Sequence, residues 1–337
     1  MNKSGSTQVQ LEFIKRLRDL TPSNRSLADE LAEILQVSND SAYRRIRGDT
    51  ALTLDEVALL CTHYRISLDT FNPGSTGTVT FSYRPLSNSE DAFDAYFQSI
   101  LTDLRKIKAF PKKEIIYAAE DIPIFHYYQF PELTAFKIFY WTKSVLNVPS
   151  FEGKKFRPEM IDKRFIGYAR EIFDHYVAIP STEIWNEETM SGMLKSIEFY
   201  WESGLFADKQ TAMQVIDQLS LMLAYLQKQA EHSSKFIPGE GKMNAEFENN
   251  FNLYNSEVMI GNNCILVLAE NYKAGYLSYH TFNSMVTSNA EYCEETEQWL
   301  KNLIRKSVLM SGVAEKQRYR FFKEAQESID RVRAKII

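Results

Sequence analysis

The sequence predicts a mainly α-helical protein with a small helical domain over residues 1–72, a linker over 73–91 and a large helical domain over 92–337. The large domain is expected to carry no more than a small antiparallel sheet. Three observations lead there. Glycine (13) and proline (10) are scarce among 337 residues, which disfavours the tight turns of barrels and sandwiches. Apolar residues recur at helical spacing through most of the chain. Several of those stretches open with Ser or Thr followed three residues later by Asp or Glu, the mark of a capped helix start. The length suits two domains or three, and 22 Phe with 18 Tyr imply large, aromatic-filled cores.

From the N-terminus, Leu11, Ile14, Leu17 and Arg18 stand at helical spacing over residues 8 to 20. TPSNRS breaks this helix. Ser26 with Asp29 caps a second, whose apolar stripe is Leu27, Leu31, Ile34 and Leu35. Val37-Ser38 interrupts, and a third helix covers 39–47, closed by Gly48 where a helix favours a left-handed residue. Thr53 with Glu56 opens a fourth through Leu54, Val57, Leu60 and Cys61, and Ser67 with Asp69 starts a brief fifth. The Gly-, Pro- and Ser-rich stretch 71–91 reads as linker, with TVTFSY a short strand inside it. Phe93, Tyr96, Phe97, Ile100, Leu101, Leu104 and Ile107 make a strong helical pattern. Pro123 and Pro131 break EIIYAAEDIPIFHYYQF before a very apolar helix at 133–146. Residues 158–178 and 182–230 read as helical, the latter jointed at Gly204. Over 247–282 the residues turn β-branched and alternating, so a small antiparallel sheet with a hairpin turn at Asn262-Asn263 is expected. The segment 290–334 is amphipathic helix.

Composition excludes several classes. No run of eighteen apolar residues exists to span a membrane, and MNKSGSTQVQ lacks the apolar core of a signal peptide. Cys61, Cys264 and Cys293 are scattered, which suits a reducing cytoplasm and no disulfide framework. The net charge of −5 argues against a surface that binds nucleic acid everywhere, yet it leaves room for one local basic patch.

That patch is VSNDSAYRRIRGD, 37–49, with three arginines in four positions. At 100° per residue Ala42 and Ile46 share one face, while Asn39, Asp40, Tyr43, Arg44 and Arg47 turn away from it. Ser38 is placed to cap the helix, and its free amides could hold a phosphate. Arg45 lies about 60° from Ala42, better placed to brace an acid of the preceding helix or to touch a phosphate than to read bases.

The segment SLADELAEILQVSNDSAYRRIRGDTALTLDEVALLCTHYRIS resembles the helix-turn-helix of phage-repressor/Cro-type DNA-binding domains. Ala32 stands where that motif has a small residue in its first helix, Val37 follows the turn, and Ala42 and Ile46 anchor the second helix. Gly48, Leu52 to Glu56 and Tyr64 to Asp69 match the later helices of such five-helix domains, so the likeness covers about residues 10 to 71. Two positions depart from the pattern: Gln36 occupies the turn site often held by glycine, and Arg45 stands where the late apolar anchor usually falls. The resemblance implies double-stranded DNA as partner, a homodimer, and helix 39–47 in the major groove. Its DNA-contacting candidates are Ser38, Asn39, Asp40, Ser41, Tyr43, Arg44, Arg45 and Arg47. Arg forks onto guanine, Asn pairs with adenine, and Tyr reaches phosphate or a thymine methyl. Residues 1–71 hold nine Lys or Arg against ten Asp or Glu, so this domain is no general polyanion binder.

Enzyme motifs are absent: no GxGxxG, phosphate loop, HExxH, GxSxG or paired CxxC occurs. The five histidines never fall at ligand spacing, so neither catalysis nor a metal or other cofactor is expected. His126, within IPIFHYYQF, reads as a core histidine, and Cys264 and Cys293 as small buried hydrophobes. The clusters FHYYQF, FKIFYW and FYW read as core packing or as the lining of a groove for a small molecule or peptide. IEFYWESGLFADKQTA is similar to the junction between tetratricopeptide helices, through Tyr200, Gly204, Phe206 and a displaced Ala212. A repressor-type head on such a body resembles the peptide-sensing cytosolic regulators, in which the body dimerises and binds a signal. The expectation is a DNA-binding transcriptional regulator in the cytoplasm. The alternative is a protein-interaction or antitoxin-like adaptor with little DNA binding of its own.

Overall fold

Local signals build the first four helices of the computed structural model, which describes residues 4–22, 25–64, 66, 77–86, 88–89, 92–237, 248–270 and 272–336. Helix α1 (Ser4–Leu20) buries Phe13, Ile14, Leu17 and Leu20. Ser26 caps α2 (Leu27–Leu35) by accepting the Asp29 amide at 3.4 Å. Gln36 then takes φ +52° and ψ +46°, and the chain enters α3 (Asn39–Arg47), where Ser38 accepts the Ser41 amide at 3.3 Å. Gly48 ends that helix at φ +79°. Thr53 and Glu56 form the reciprocal cap of α4 (Leu54–Tyr64): Glu56 Oε2 accepts the Thr53 amide at 2.9 Å and Thr53 Oγ1 the Glu56 amide at 3.2 Å. Gln10 of α1 clasps the loop between them, donating to the Arg45 and Thr50 carbonyls and accepting the Leu52 amide. The expected fifth turn at Ser67 and Asp69 lies outside the described residues, as do linker positions 73–76, 87, 90 and 91.

The remainder corrects the expected fold class. It is an α/β fold and not a mainly α chain with a small antiparallel sheet. Helices alternate with strands in the order β1 (Ser82–Tyr83), α5 (Ala92–Ala109), β2 (Lys113–Ala118), α6 (Ile124–Tyr127), α7 (Pro131–Tyr140), α8 (Lys163–Val177), β3 (Ser181–Trp185), α9 (Ser191–Glu202) and α10 (Lys209–His232). There follow β4 (Phe251–Asn255), β5 (Cys264–Ala269), β6 (Tyr272–Tyr279), β7 (Asn283–Thr287), α11 (Ala290–Lys306), β8 (Val308–Leu309) and α12 (Glu315–Ile336). Among the described residues eight strands join one mixed sheet in the order β1-β7-β6-β5-β2-β3-β4-β8. Strands β2, β3 and β4 run parallel, joined by helical crossovers, and the other pairings are antiparallel.

The physical reason for the correction is burial on both faces. In β2, Ile115 and Tyr117 enter the larger core while Ile116 and Ala118 enter a second core under α11. A strand covered on both sides has no polar face, so IIYAA and STEIW carry no alternation to distinguish them from buried helix. The expected hairpin is also displaced. Asn262 and Asn263 precede β5, and the β5–β6 hairpin pairs Ala269 with Tyr272. The C-terminal helical stretch is two helices separated by the edge strand β8. The tetratricopeptide-like junction turns at Gly204 (φ +64°), and α9 and α10 each pack against α12.

Helix α11 covers one sheet face through Cys293, Leu300 and Leu303, and helices α5, α8 and α10 share the larger core with the opposite face. The sequence's aromatic wealth lies in that larger core, where Tyr127, Phe136, Phe139 and Tyr200 are buried. Among the described residues no helix is long and apolar enough to cross a membrane.

Candidate functional site

Two surfaces could carry function, the outer face of α3 and a cavity on the sheet. On α3, Ala42 is fully buried and Ile46 packs partly on the core, which fixes the helix's rotation. Tyr43 is 48 % exposed, and the Arg44 and Arg47 side chains are 60 % and 56 % exposed. Arg44 lies 3.4 Å from Asp40 and Arg47 2.8 Å from Asp49. Both are exposed pairs, worth about 0–1 kcal/mol, that a phosphate or a base edge could replace. Asn39 Nδ2 donates to Asp29 at 3.0 Å, tethering the start of α3 to α2. Ser41 is half-buried and hydrogen-bonds Ser38, so it completes the cap.

Arg45 is directed elsewhere. It forms a 2.6 Å ion pair with Glu56, both side chains being largely covered. The sequence pointed to an acid of the preceding helix, whereas the partner belongs to the following one. The same Glu56 caps α4, so one carboxylate ties α3 to the start of α4. The Arg45 hydrogen bond is the main reason the Glu56 carboxyl sits below its usual range, against the opposing effect of burial.

The cavity, about 1320 Å³, lies between the antiparallel half of the sheet and helices α5, α7 and α9. Its floor includes Ile115, Ile265, Val267 and Tyr276, and its roof Ile100, Leu104, Ile107 and Trp141. One end is polar. There Asp121, just past the carboxyl end of β2, pairs with Lys137 at 2.6 Å and accepts the Tyr127 hydroxyl at 3.2 Å. Glu188 and Lys195 approach from the loop after β3 and from α9, and Asn263 Oδ1 accepts the Glu120 amide at 2.8 Å. Crevices at the carboxyl ends of parallel strands are where open α/β sheets hold ligands. Phe125, Phe136, Tyr140 and Trp141, from two of the three aromatic clusters, line this space, while FYW at 199–201 does not.

The chain matches no family model, no curated protein and no solved structure.

A buried polar cluster lies deeper in the body. Glu183 of β3 accepts hydrogen bonds from Tyr176 and, at 3.0 Å, from Trp185, with His126 Nε2 at 2.8 Å. Burial alone would raise its carboxyl, but His126, Tyr176 and Lys235 outweigh that and hold it below the usual range. Lys235, also buried, donates to the carbonyls of Tyr176 and Ile179 and to Ser181 Oγ. Apart from His126 Nδ1, which is buried without a hydrogen-bond partner, the polar groups here bond to one another or to the backbone, so the cluster is structural cement between β3, α8 and the segment after α10. His126 is thus bonded within the core. Cys264 and Cys293 are buried too, and desolvation pushes both thiols up, Cys264 to about 11. Among the described residues no cluster of three or more His, Cys, Asp or Glu is placed to hold a metal ion.

Sequence reasoning missed the cavity, because its wall draws on residues from 61 to 286 that only the sheet brings together. The one signal available was the aromatic clustering.

Proposed function

We propose that this chain is a sequence-specific DNA-binding transcriptional regulator. It acts as a dimer, lays α3 in the major groove and uses its body for dimerisation and effector binding. The observation that supports this most is the outward face of α3. Tyr43, Arg44 and Arg47 stand exposed in one row, on a short helix whose rotation is fixed by a buried alanine and whose ends are capped by Ser38 and Gly48. Exposed guanidiniums on a pinned helix match what base-edge reading requires. Arg45, Ser41 and Asn39 support that helix through contacts within the protein, with Ser38 exposed at its start and Asp40 paired with Arg44 until a base or phosphate takes the arginine. The head's near-neutral charge favours a dimer on two half-sites about 34 Å apart over a monomer coating DNA.

The test is selection on random duplexes followed by gel shifts. The wild-type protein enriches a two-fold-related site, and Arg44→Ala and Arg47→Ala each cost about 1–3 kcal/mol on it and relax one position. Equal enrichment by wild type and both variants would sink the recognition-helix reading. Folded protein that enriches nothing would favour the adaptor reading.

A further inference from the structure

The shape of the cavity narrows what the body can bind. Strand register fixes its orientation: Ala118 of β2 pairs with Cys264 at one end of the sheet, and Lys113 pairs with Ala269 at the other. Glu120, Asp121, Glu188, Lys195 and Lys137 lie beyond the Ala118 end, on the loops after β2 and β3, on α9 and on α7, while Arg84 just past β1 and Asp103 of α5 also line the cavity. Between the two ends, Ile100, Leu104 and Ile107 of α5 face Ile115 and Val267 of the sheet, an apolar slot that follows the strand direction. At about 1320 Å³ the space exceeds the roughly 300–1,000 Å³ usual for compact ligands, which leaves room for a long molecule.

The polar mouth sets the head group. Three carboxylates, Glu120, Asp121 and Glu188, face two ammoniums, Lys137 and Lys195, and Lys137 is already committed to Asp121; Arg84 and Asp103, elsewhere in the lining, add one charge of each sign and leave the excess of acid unchanged. The N-terminal turn of α9 adds no anion site, because Asp121 itself lies against Gly192. Burial, followed by the neighbouring Asp121, pushes the Glu120 carboxyl up, as for an acid lacking a cation. We infer that the cavity is a binding site for an amphiphile with a linear apolar tail and a cationic amine head, the tail in the slot and the amine at Glu120 and Glu188.

The N-terminal domain contributes to the same wall. Cys61 and Thr62 of α4, with Ile66 beyond it, line the cavity, and α4 is tied to α3 by Glu56 and Arg45. An occupant therefore touches the element that holds α3. This coupling rests on the proposed DNA function, whereas the binding site does not.

Calorimetry on the full chain tests both, with dodecylamine, dodecanoate and butylamine each below its micelle concentration. Dodecylamine binds, while dodecanoate (wrong head) and butylamine (no tail) bind at least about tenfold more weakly, about 1.4 kcal/mol. Ile100→Trp, a half-buried position that fills the slot, weakens dodecylamine by about tenfold or more with the fold intact by circular dichroism. Glu120→Gln with Glu188→Gln weakens dodecylamine without raising butylamine affinity. Failure of dodecylamine to bind, or binding indifferent to Ile100→Trp, overturns the site. Equal affinity for dodecanoate overturns the cationic head. In gel shifts on the selected duplex, saturating dodecylamine changes affinity about fivefold or more. Binding without that change overturns the coupling alone, and a protein that selects no duplex removes the DNA function while the calorimetric result stands.

Discussion

Gln36 holds a left-handed conformation between α2 and α3 (φ +52°), which costs a residue bearing Cβ about 1–2 kcal/mol. Part of that returns when glycine replaces it, less the entropy glycine adds to the unfolded chain. Gln36→Gly therefore raises stability by about 0.5–1 kcal/mol and Gln36→Val lowers it by at least as much, read from denaturation midpoints. Arg45→Ala leaves Glu56 half-covered without its cation, and a loss of about 1–3 kcal/mol is expected in the same assay. Lys235 gives a pH signature. Burial brings its ammonium down to about 7, with Glu183 opposing. Above that pH the folded chain has released a proton that the unfolded chain keeps until about 10.5, so this lysine's contribution to stability rises with pH across the window. The Tm difference between wild type and Lys235→Met should grow from about pH 7 to about pH 9, and a flat difference would show that the three oxygen acceptors keep the lysine charged. The caps at Ser26, Ser38 and Thr53 were legible from sequence because each acts within three residues. The Arg45 partner was not, since helical phase gives a side chain's direction and not which neighbouring helix it meets.

Between elements, the closest approach that a substitution can probe is Gly275 of β6 against Tyr292 of α11. A Cβ at Gly275 would lie 3.1 Å from the Tyr292 ring, so any larger residue there requires the ring or α11 to give by a few tenths of an ångström. Gly275→Ala forces the ring or the helix outward, and a loss of about 1–3 kcal/mol by denaturation is expected. A paired Gly275→Ala, Tyr292→Leu chain recovers part of it if the ring is the obstacle. Helices α5, α10 and α12 were readable, because each keeps one solvated face and hence a 3.6-residue period. Strands β2 and β3 were not, because Ile115 and Ile116 are both buried, as are all five residues from Ser181 to Trp185. Alternation survives only where one face is partly open; β5 to β7 have such positions in Ile265, Tyr276 and Met285, and β character was visible there and in TVTFSY, which ends in the exposed strand β1.

At the scale of the molecule, the first four helices meet the body through few anchors. Arg16 donates to the Ser288 carbonyl and lies 5.9 Å from the centre of the Tyr272 ring, and α4 reaches the cavity wall. Arg16→Ala leaves the hydrophobic core of α1 untouched, so under the proposed function and coupling DNA affinity without a ligand stays within about threefold while the ligand-induced shift falls. Gel shifts with and without dodecylamine check this, and an undiminished shift would place the coupling wholly in α4. The Arg16 anchor was not legible in the sequence, for it joins residues more than two hundred positions apart. The same separation governs the order of events during synthesis. Helices α1 to α4 depend on neighbours near in sequence and can close while the ribosome is still making α5. The sheet cannot: β2 waits for β5, β1 waits for β7, and α9 and α10 wait for α12, whose Lys335 carbonyl accepts the Trp201 indole. A nascent chain thus owns its α3 surface long before it owns a cavity, whose wall is complete only when Val286 has joined the sheet.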